Sequence, residues 1–135
     1  MNKQCPCGQT MGLKLRTVIY SGKLEIDNVP VFSCDACQHS EVKPSVKTEL
    51  KEIIDEIGSL DKKKSVRFNE VNEWADFLLS YKLQYKDNQT SERIYNAMLE
   101  ARINDLLDLY LFAEEINDVE WLDSIQKRLV QLSEY

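Results

Sequence analysis

Cys5-Pro6-Cys7-Gly8 and Cys34-Asp35-Ala36-Cys37 hold all four cysteines of this chain, and the reading of these two short stretches decides the fold. Zinc takes four soft or borderline ligands at tetrahedral corners, and two tight turns facing each other supply two each. The second pair has the usual C-x2-C spacing; the first, C-x-C, is one residue shorter. Two disulfides would require an oxidising compartment, and the opening Met1-Asn2-Lys3-Gln4-Cys5 has no apolar run of the kind that exports a chain. Unrelated buried cysteines do not cluster in pairs, and a single redox C-x-x-C would leave Cys5 and Cys7 without a role. The preferred reading is one structural Zn2+ on Cys5, Cys7, Cys34 and Cys37, since four protein ligands leave no open coordination position.

Between the pairs lies a hairpin pattern. Residues 10–20 alternate, with Leu13, Leu15, Thr17 and Ile19 on one side and Lys14, Arg16, Val18 and Tyr20 on the other, as in a half-buried strand. Ser21-Gly22 reads as the turn, Gly22 supplying φ > 0. Residues 23–33 return, with Asp27-Asn28 as a bulge or second turn, and Pro30 predicts an edge position because it cannot donate to a ladder.

The knuckle Cys5-Pro6-Cys7-Gly8, the two-stranded excursion and then Val29-Pro30-Val31-Phe32 leading to Cys34 and Cys37 resemble the YgiT-type zinc-finger family. The resemblance covers residues 1–45 only. It implies that the four cysteines bind a structural zinc, and it implies a DNA-linked regulator or antitoxin of a toxin–antitoxin system as one function class. The sequence departs from the family in the shorter first pair, in Gln38 where a glycine often follows the last cysteine, and in having no match to the family's downstream helix-turn-helix domain. His39, the only histidine, is expected to be solvent-exposed beside the site; the alternative is that it replaces Cys5 as fourth ligand.

Beyond residue 44 the period changes from two to 3.6. Ser45 is the expected N-cap of a helix over 45–58 with a stripe of Val46, Leu50, Ile53, Ile54, Ile57 and Leu60, ended by Gly58-Ser59. Asp61 to Ser65 reads as a charged loop in which Lys62, Lys63 and Lys64 are solvated. A second helix is predicted over 69–86, burying Phe68, Val71, Trp74, Ala75, Leu78 and Leu79. The polar turn 86–90 and a cap at Thr90 or Ser91 lead to a long helix over 91–116. Asn117-Asp118 breaks it, Asp118 caps the last helix, and Leu122, Ile125, Leu129 and Leu132 form that helix's stripe. Short connections favour antiparallel neighbours, so a three-helix bundle is expected. The fold class is thus α+β: a zinc-binding β-hairpin module at 1–44, a connecting helix and loop at 45–65, and a helical bundle at 66–135.

The net charge is −6. Residues 1–50 are close to balance, and the acidic excess lies beyond them. An acidic chain lacks the basic face that phosphate binding requires, and Lys14, Arg16 and Lys23 are the only candidates for nucleic acid. No apolar run approaches the length of a membrane span, and the expected compartment is the cytoplasm. There is no Gly-rich phosphate loop, no H-E-x-x-H and no nucleophile elbow. Asp105, Asp108, Glu114 and Glu115 lack the Glu-x-x-His partners of a di-metal bundle and read as a solvated face. The sequence therefore favours a non-enzymatic zinc-binding regulatory or adaptor protein over the DNA-linked alternative. Trp74, Tyr81, Tyr85, Tyr95, Tyr110 and Phe112 are its candidate anchors for a protein partner, each weighed against simple core filling. The long helix has apolar residues on two faces, and a strip near Leu107 and Leu111 is expected to be left for self-association or a protein target.

Overall fold

The computed structural model describes residues 2–58, 62–85 and 92–133. The expected helix end at Ser59 and Leu60, the start of the charged loop at Asp61, the polar turn over 86–90 and the caps at Thr90 or Ser91 fall outside them. The chain divides into two compact units, Met1–Val71 and Asn72–Tyr135.

The first unit is built on a curled, five-stranded sheet. β1 (Asn2–Gln4), β2 (Thr10–Tyr20), β3 (Leu24–Ser33) and β4 (Ser40–Glu41) follow one another antiparallel, and β5 (Lys64–Arg67) lies parallel to β3. The Ser21-Gly22 turn joins β2 to β3 with both residues at positive φ, 55° and 67°. Asn28 also has positive φ, and the β2–β3 register shifts there, two steps on β2 (Arg16 to Val18) facing three on β3 (Val29 to Ile26). This is the bulge expected at Asp27-Asn28, closed by a 2.8 Å bond from Thr17 Oγ1 to Asp27. The extra residue changes the phase of burial: Leu24 and Ile26 are buried before it, Val29 and Val31 after it. It also ends the simple alternation on β2, where Ile19 is exposed and Val18 half-buried.

β3 is the central strand, which corrects the edge position read from Pro30. β5 pairs with β3 over Leu24–Asp27 and β4 over Phe32–Ser33. Pro30 falls in the gap between those two ladders, where no donor is needed. α1 (Pro44–Ile57) crosses from β4 towards β5 and packs on β3 with Val46, Leu50 and Ile53 buried. It begins with Pro44 at its first position and Lys43 as cap, not Ser45; the fixed φ of proline suits that place, and its missing N–H is not needed there. At the other end Gly58 closes the helix, and a Cβ on it would stand 2.5 Å from the Ile54 carbonyl oxygen and 3.0 Å from the ring of Tyr20.

Lys64 and Ser65, expected in the loop, begin a strand that runs to Arg67, and Phe68–Glu70 is one 3-10 turn packed on β3 rather than the start of the helix expected from 69. Phe68 is fully buried and belongs to the first unit, while Val71 is exposed. The zinc-module boundary at 44 and the bundle start at 66 are corrected accordingly: the sheet reaches beyond α1 because β3 has a free edge opposite Leu24–Asp27 that β5 fills.

The second unit consists of α2 (Glu73–Gln84), α3 (Glu92–Glu115) and α4 (Val119–Ser133), packed on one another. Asn72 caps α2, its side-chain oxygen accepting from the Ala75 amide at 2.8 Å, which fixes the helix start at Glu73. Trp74, Phe77 and Leu78 fill the core with Tyr95, Leu106, Ala113, Ile125 and Leu132. Trp74 donates from Nε1 to the Tyr95 hydroxyl at 3.0 Å, and burial pushes that hydroxyl's pKa up. Glu73 is buried between two arginines, accepting from Arg102 at 2.9 Å and Arg128 at 2.6 Å. Asn117 at φ 60° turns the chain, and Asp118 caps α4 by accepting from the Trp121 amide at 3.1 Å, as expected. No described helix is long and apolar enough to cross a membrane.

Candidate metal centre

The four cysteines come together because of strand register. β2 and β3 pair with Gly12 opposite Ser33, so the turn that enters β2 and the turn that leaves β3 lie at the same end of the sheet. Each of those turns closes a hairpin, β1–β2 and β3–β4, and each carries one cysteine pair.

The two turns are built alike. In the first, the Cys5 amide donates to the Gln9 carbonyl at 2.7 Å and the Gly8 amide to the Cys5 carbonyl at 2.9 Å. In the second, the Cys34 amide donates to the His39 carbonyl at 2.8 Å and the Gln38 amide to the Cys34 carbonyl at 2.9 Å. The second turn is one residue longer in both bonds, matching its longer cysteine spacing. In both, the residue after the second cysteine is left-handed: Gly8 at φ 97° and Gln38 at φ 66°. Gln38 therefore does by conformation what a glycine would do there, at a backbone cost of about 1–2 kcal/mol, and its side chain donates to the Asp35 carbonyl at 3.1 Å.

All four sulfurs lie within 4.8 Å of one another. Cys5 Sγ is 3.5 Å from Cys37 Sγ, and Cys7 Sγ is 3.6 Å from Cys34 Sγ, so the close pairs run between the turns. A tetrahedral site with Zn–S bonds of about 2.3 Å sets its sulfurs about 3.8 Å apart, and this arrangement matches it. All four cysteines are free thiols. Cys5 and Cys34 are buried against Met11, with Phe32 alongside, while Cys7 and Cys37 face solvent.

Amides aim at the sulfurs and set the thiols apart. The Cys37 amide, joined by that of Ala36 and opposed by burial, brings the Cys34 thiol down to about 7. The Cys7 amide favours the Cys5 thiolate, but burial and the three neighbouring thiols outweigh it and push Cys5 up to about 12. The His39 amide lowers Cys37, but Cys7, burial and Cys34 carry it above its ordinary value. Like charges in so small a space repel, and a divalent cation is what would let four thiolates coexist there.

His39 does not join the group. Its Nε2 lies 3.0 Å from Glu41, and among the described residues the metal-ligand cluster consists of Cys5, Cys7, Cys34 and Cys37 alone. Its backbone serves the site instead, through the carbonyl and amide named above. Glu41 also meets Lys3 at 2.6 Å, which ties β4 to β1 around the curl of the sheet; Lys3, then His39, holds the Glu41 carboxyl below its usual range. Lys14 pairs with Asp35 of the second turn at 3.0 Å. The helical carboxylates Asp105, Asp108, Glu114 and Glu115 are exposed. Of the candidate anchors, Trp74 and Tyr95 are buried, Tyr81, Tyr85 and Tyr110 half-buried, and Phe112 is exposed. Leu107 and Leu111 are exposed, at 44% and 61%.

The chain matches no family model, no curated protein and no solved structure.

Proposed function

We propose that this is a non-enzymatic, cytoplasmic zinc protein in which Cys5, Cys7, Cys34 and Cys37 hold one structural Zn2+ and the helical unit docks a protein partner. The observation that carries the metal assignment is the set of four sulfurs within 4.8 Å on two matched turns. An all-sulfur tetrahedral set favours zinc over harder cations. Four thiolates fill that coordination sphere, which supports a structural role over a catalytic one. The resemblance of residues 1–45 to the YgiT-type family points the same way. Elemental analysis of the purified full chain tests it: one zinc per chain is expected, and no zinc with four titratable thiols would remove the reading.

The adaptor role is supported by apolar side chains on the surface of the second unit and by the acidic charge, which disfavours phosphate backbones. The DNA-linked reading has Lys14, Arg16 and Lys23 to work with, and Lys14 is already paired with Asp35. Co-purification from cells, with the full chain and with residues 72–135 removed, tests the adaptor role: a partner lost with the helices supports it. A tight, salt-resistant shift of one specific duplex would replace it with the regulator.

A further inference from the structure

α2 is half as long as α3, twelve residues against twenty-four, or about 18 Å against 36 Å. It is held to one row of α3 and to two neighbouring positions of α4. On α3, Tyr95 takes the Trp74 indole and packs on Phe77, and Arg102 pairs with Glu73 and Asp76. On α4, Arg128 pairs with Glu73, and Gln131 accepts from the Glu73 amide at 2.8 Å. Seven residues make two helical turns, so the row of Tyr95 and Arg102 continues through Leu109 and Ile116, and the row of Arg128 runs back to Trp121. Phe112 sits beside that continuation, its ring edge-on to Trp121 at 6.0 Å. Leu109, Phe112 and Ile116 are exposed at 37%, 51% and 50%. The flank that α2 covers at one end of the α3–α4 pair is thus apolar and uncovered at the other.

The charge around it has one sign. From Ile103 to Gln126 the sequence has Asp105, Asp108, Glu114, Glu115, Asp118, Glu120 and Asp123 and no lysine or arginine, and all seven acids are exposed. A second copy would set like charges against each other. The Leu107 and Leu111 pair lies on the opposite flank, on a row that runs into Glu100, Asn104 and Glu114.

We infer that Leu109, Phe112, Ile116 and Trp121 receive a short amphipathic helix of a partner protein, apolar on one face and lysine- or arginine-rich beside it, lying where a longer α2 would have run. This rests on the adaptor reading and names its surface and the chemistry of its partner.

The test uses the full zinc-loaded chain and a labelled leucine/lysine amphipathic helical peptide about three turns long, read by fluorescence anisotropy. The wild type is expected to bind it. Phe112→Gln with Ile116→Gln, which keeps every charge, is expected to weaken binding at least tenfold, while Leu107→Gln with Leu111→Gln leaves it unchanged. Circular dichroism checks that the helices persist; if the first pair costs helix, Ile116→Gln alone is expected to weaken binding severalfold. Equal binding by all variants means attraction by charge alone and overturns the inference, as does no binding by the wild type. A concentration-dependent dimer abolished by the Phe112 and Ile116 changes also overturns it, in favour of a second copy. The adaptor reading survives these failures if a partner still co-purifies with the helices in a way the Phe112 and Ile116 changes do not disturb.

Discussion

The two units face the same difficulty, several ionisable groups crowded into partly buried space, and resolve it differently. In the second unit the crowding is neutralised from within. Glu73, with its side chain only 8% exposed, sits between Arg102 and Arg128, and Asp76 shares Arg102. In the first unit the crowded groups are four thiols of one kind, gathered within 4.8 Å, while Lys3 and Lys14 of the adjoining strands are engaged by Glu41 and Asp35. Helices bring opposite charges together from distant positions because long side chains reach across a bundle. Two tight turns bring only what lies at their tips. The second unit therefore closes its electrostatics with its own residues, whereas the first asks for a cation from outside.

The largest effect that can break this contrast is metal removal. A structural zinc contributes about 10–16 kcal/mol of apparent binding free energy at neutral pH, more than a unit of this size is expected to hold in reserve. Chelation, or Cys34→Ser, should unfold the turns and the sheet end they close. The loss of helical circular dichroism should not exceed what the fourteen residues of α1 contribute, because α2, α3 and α4 contain none of the ligands. Loss of all helical signal would show that the two units share one cooperative transition. Metal affinity should fall as pH falls, because protons compete for the same sulfurs.

Glu73→Ala addresses the other side of the comparison. Removing one partner of a buried ion pair costs about 3–5 kcal/mol because the other charge is left stranded. Here Arg128 keeps 40% of its side chain in water and Arg102 stays paired with Asp76, so about 2 kcal/mol is expected, measured as a lower urea midpoint for the second unit. The same substitution should leave zinc content unchanged. A neutral result would mean that Trp74, Phe77 and Tyr95 hold the bundle without the ion pairs.

How far each unit was legible follows from the same contrast. The cysteine turns announce themselves because their spacing is local, and the long helices because a 3.6-residue stripe repeats several times, as in Ile125, Leu129 and Leu132. β1, β4 and β5 have three, two and four residues, too few for alternation to show, and Val66 is the one apolar residue in β5. Phe68 and Val71 fall at helical spacing before Trp74 and so read as part of the second unit, although they belong to the first. Asn72 followed by Glu73 and Asp76 is a start signal that outranks that spacing. The Glu73 cluster has no local signature, since Arg102 and Arg128 lie 29 and 55 residues away.

A smaller change separates the packing of the first unit from its metal. Gly58→Ala puts a methyl 2.5 Å from the Ile54 carbonyl oxygen and 3.0 Å from the Tyr20 ring at the end of α1. Overpacking of this kind costs about 1–3 kcal/mol; the exposed Tyr20 ring can swing away, but the Ile54 carbonyl is backbone, so the end of α1 itself must shift and the low end of that range is not expected. Thermal unfolding of the zinc-loaded protein should show the shift, while a chelator competition should give an unchanged zinc affinity. A parallel drop in affinity would mean that the α1 end of the sheet and the cysteine end respond as one.

The smallest effect concerns the two left-handed residues that close the cysteine turns. Gly8 stands at φ 97°, outside the small left-handed region open to other residues, and a Cβ there would meet nothing within 4 Å. Gly8→Ala therefore carries a purely backbone cost of about 1–2 kcal/mol, read as roughly a five- to thirtyfold loss of zinc affinity in chelator competition if the strain falls on the metal-bound turn. Gln38→Gly runs the other way and nearly cancels. It relieves about 1–2 kcal/mol of strain at φ 66°, but it gives the unfolded chain about 0.5–1 kcal/mol of extra freedom and removes the exposed bond to the Asp35 carbonyl, worth about 0.5–1 kcal/mol. A change in affinity of less than about threefold is expected. A large gain on Gln38→Gly would show that its strain is not offset and that the second turn, not the first, limits how well the site is preorganised.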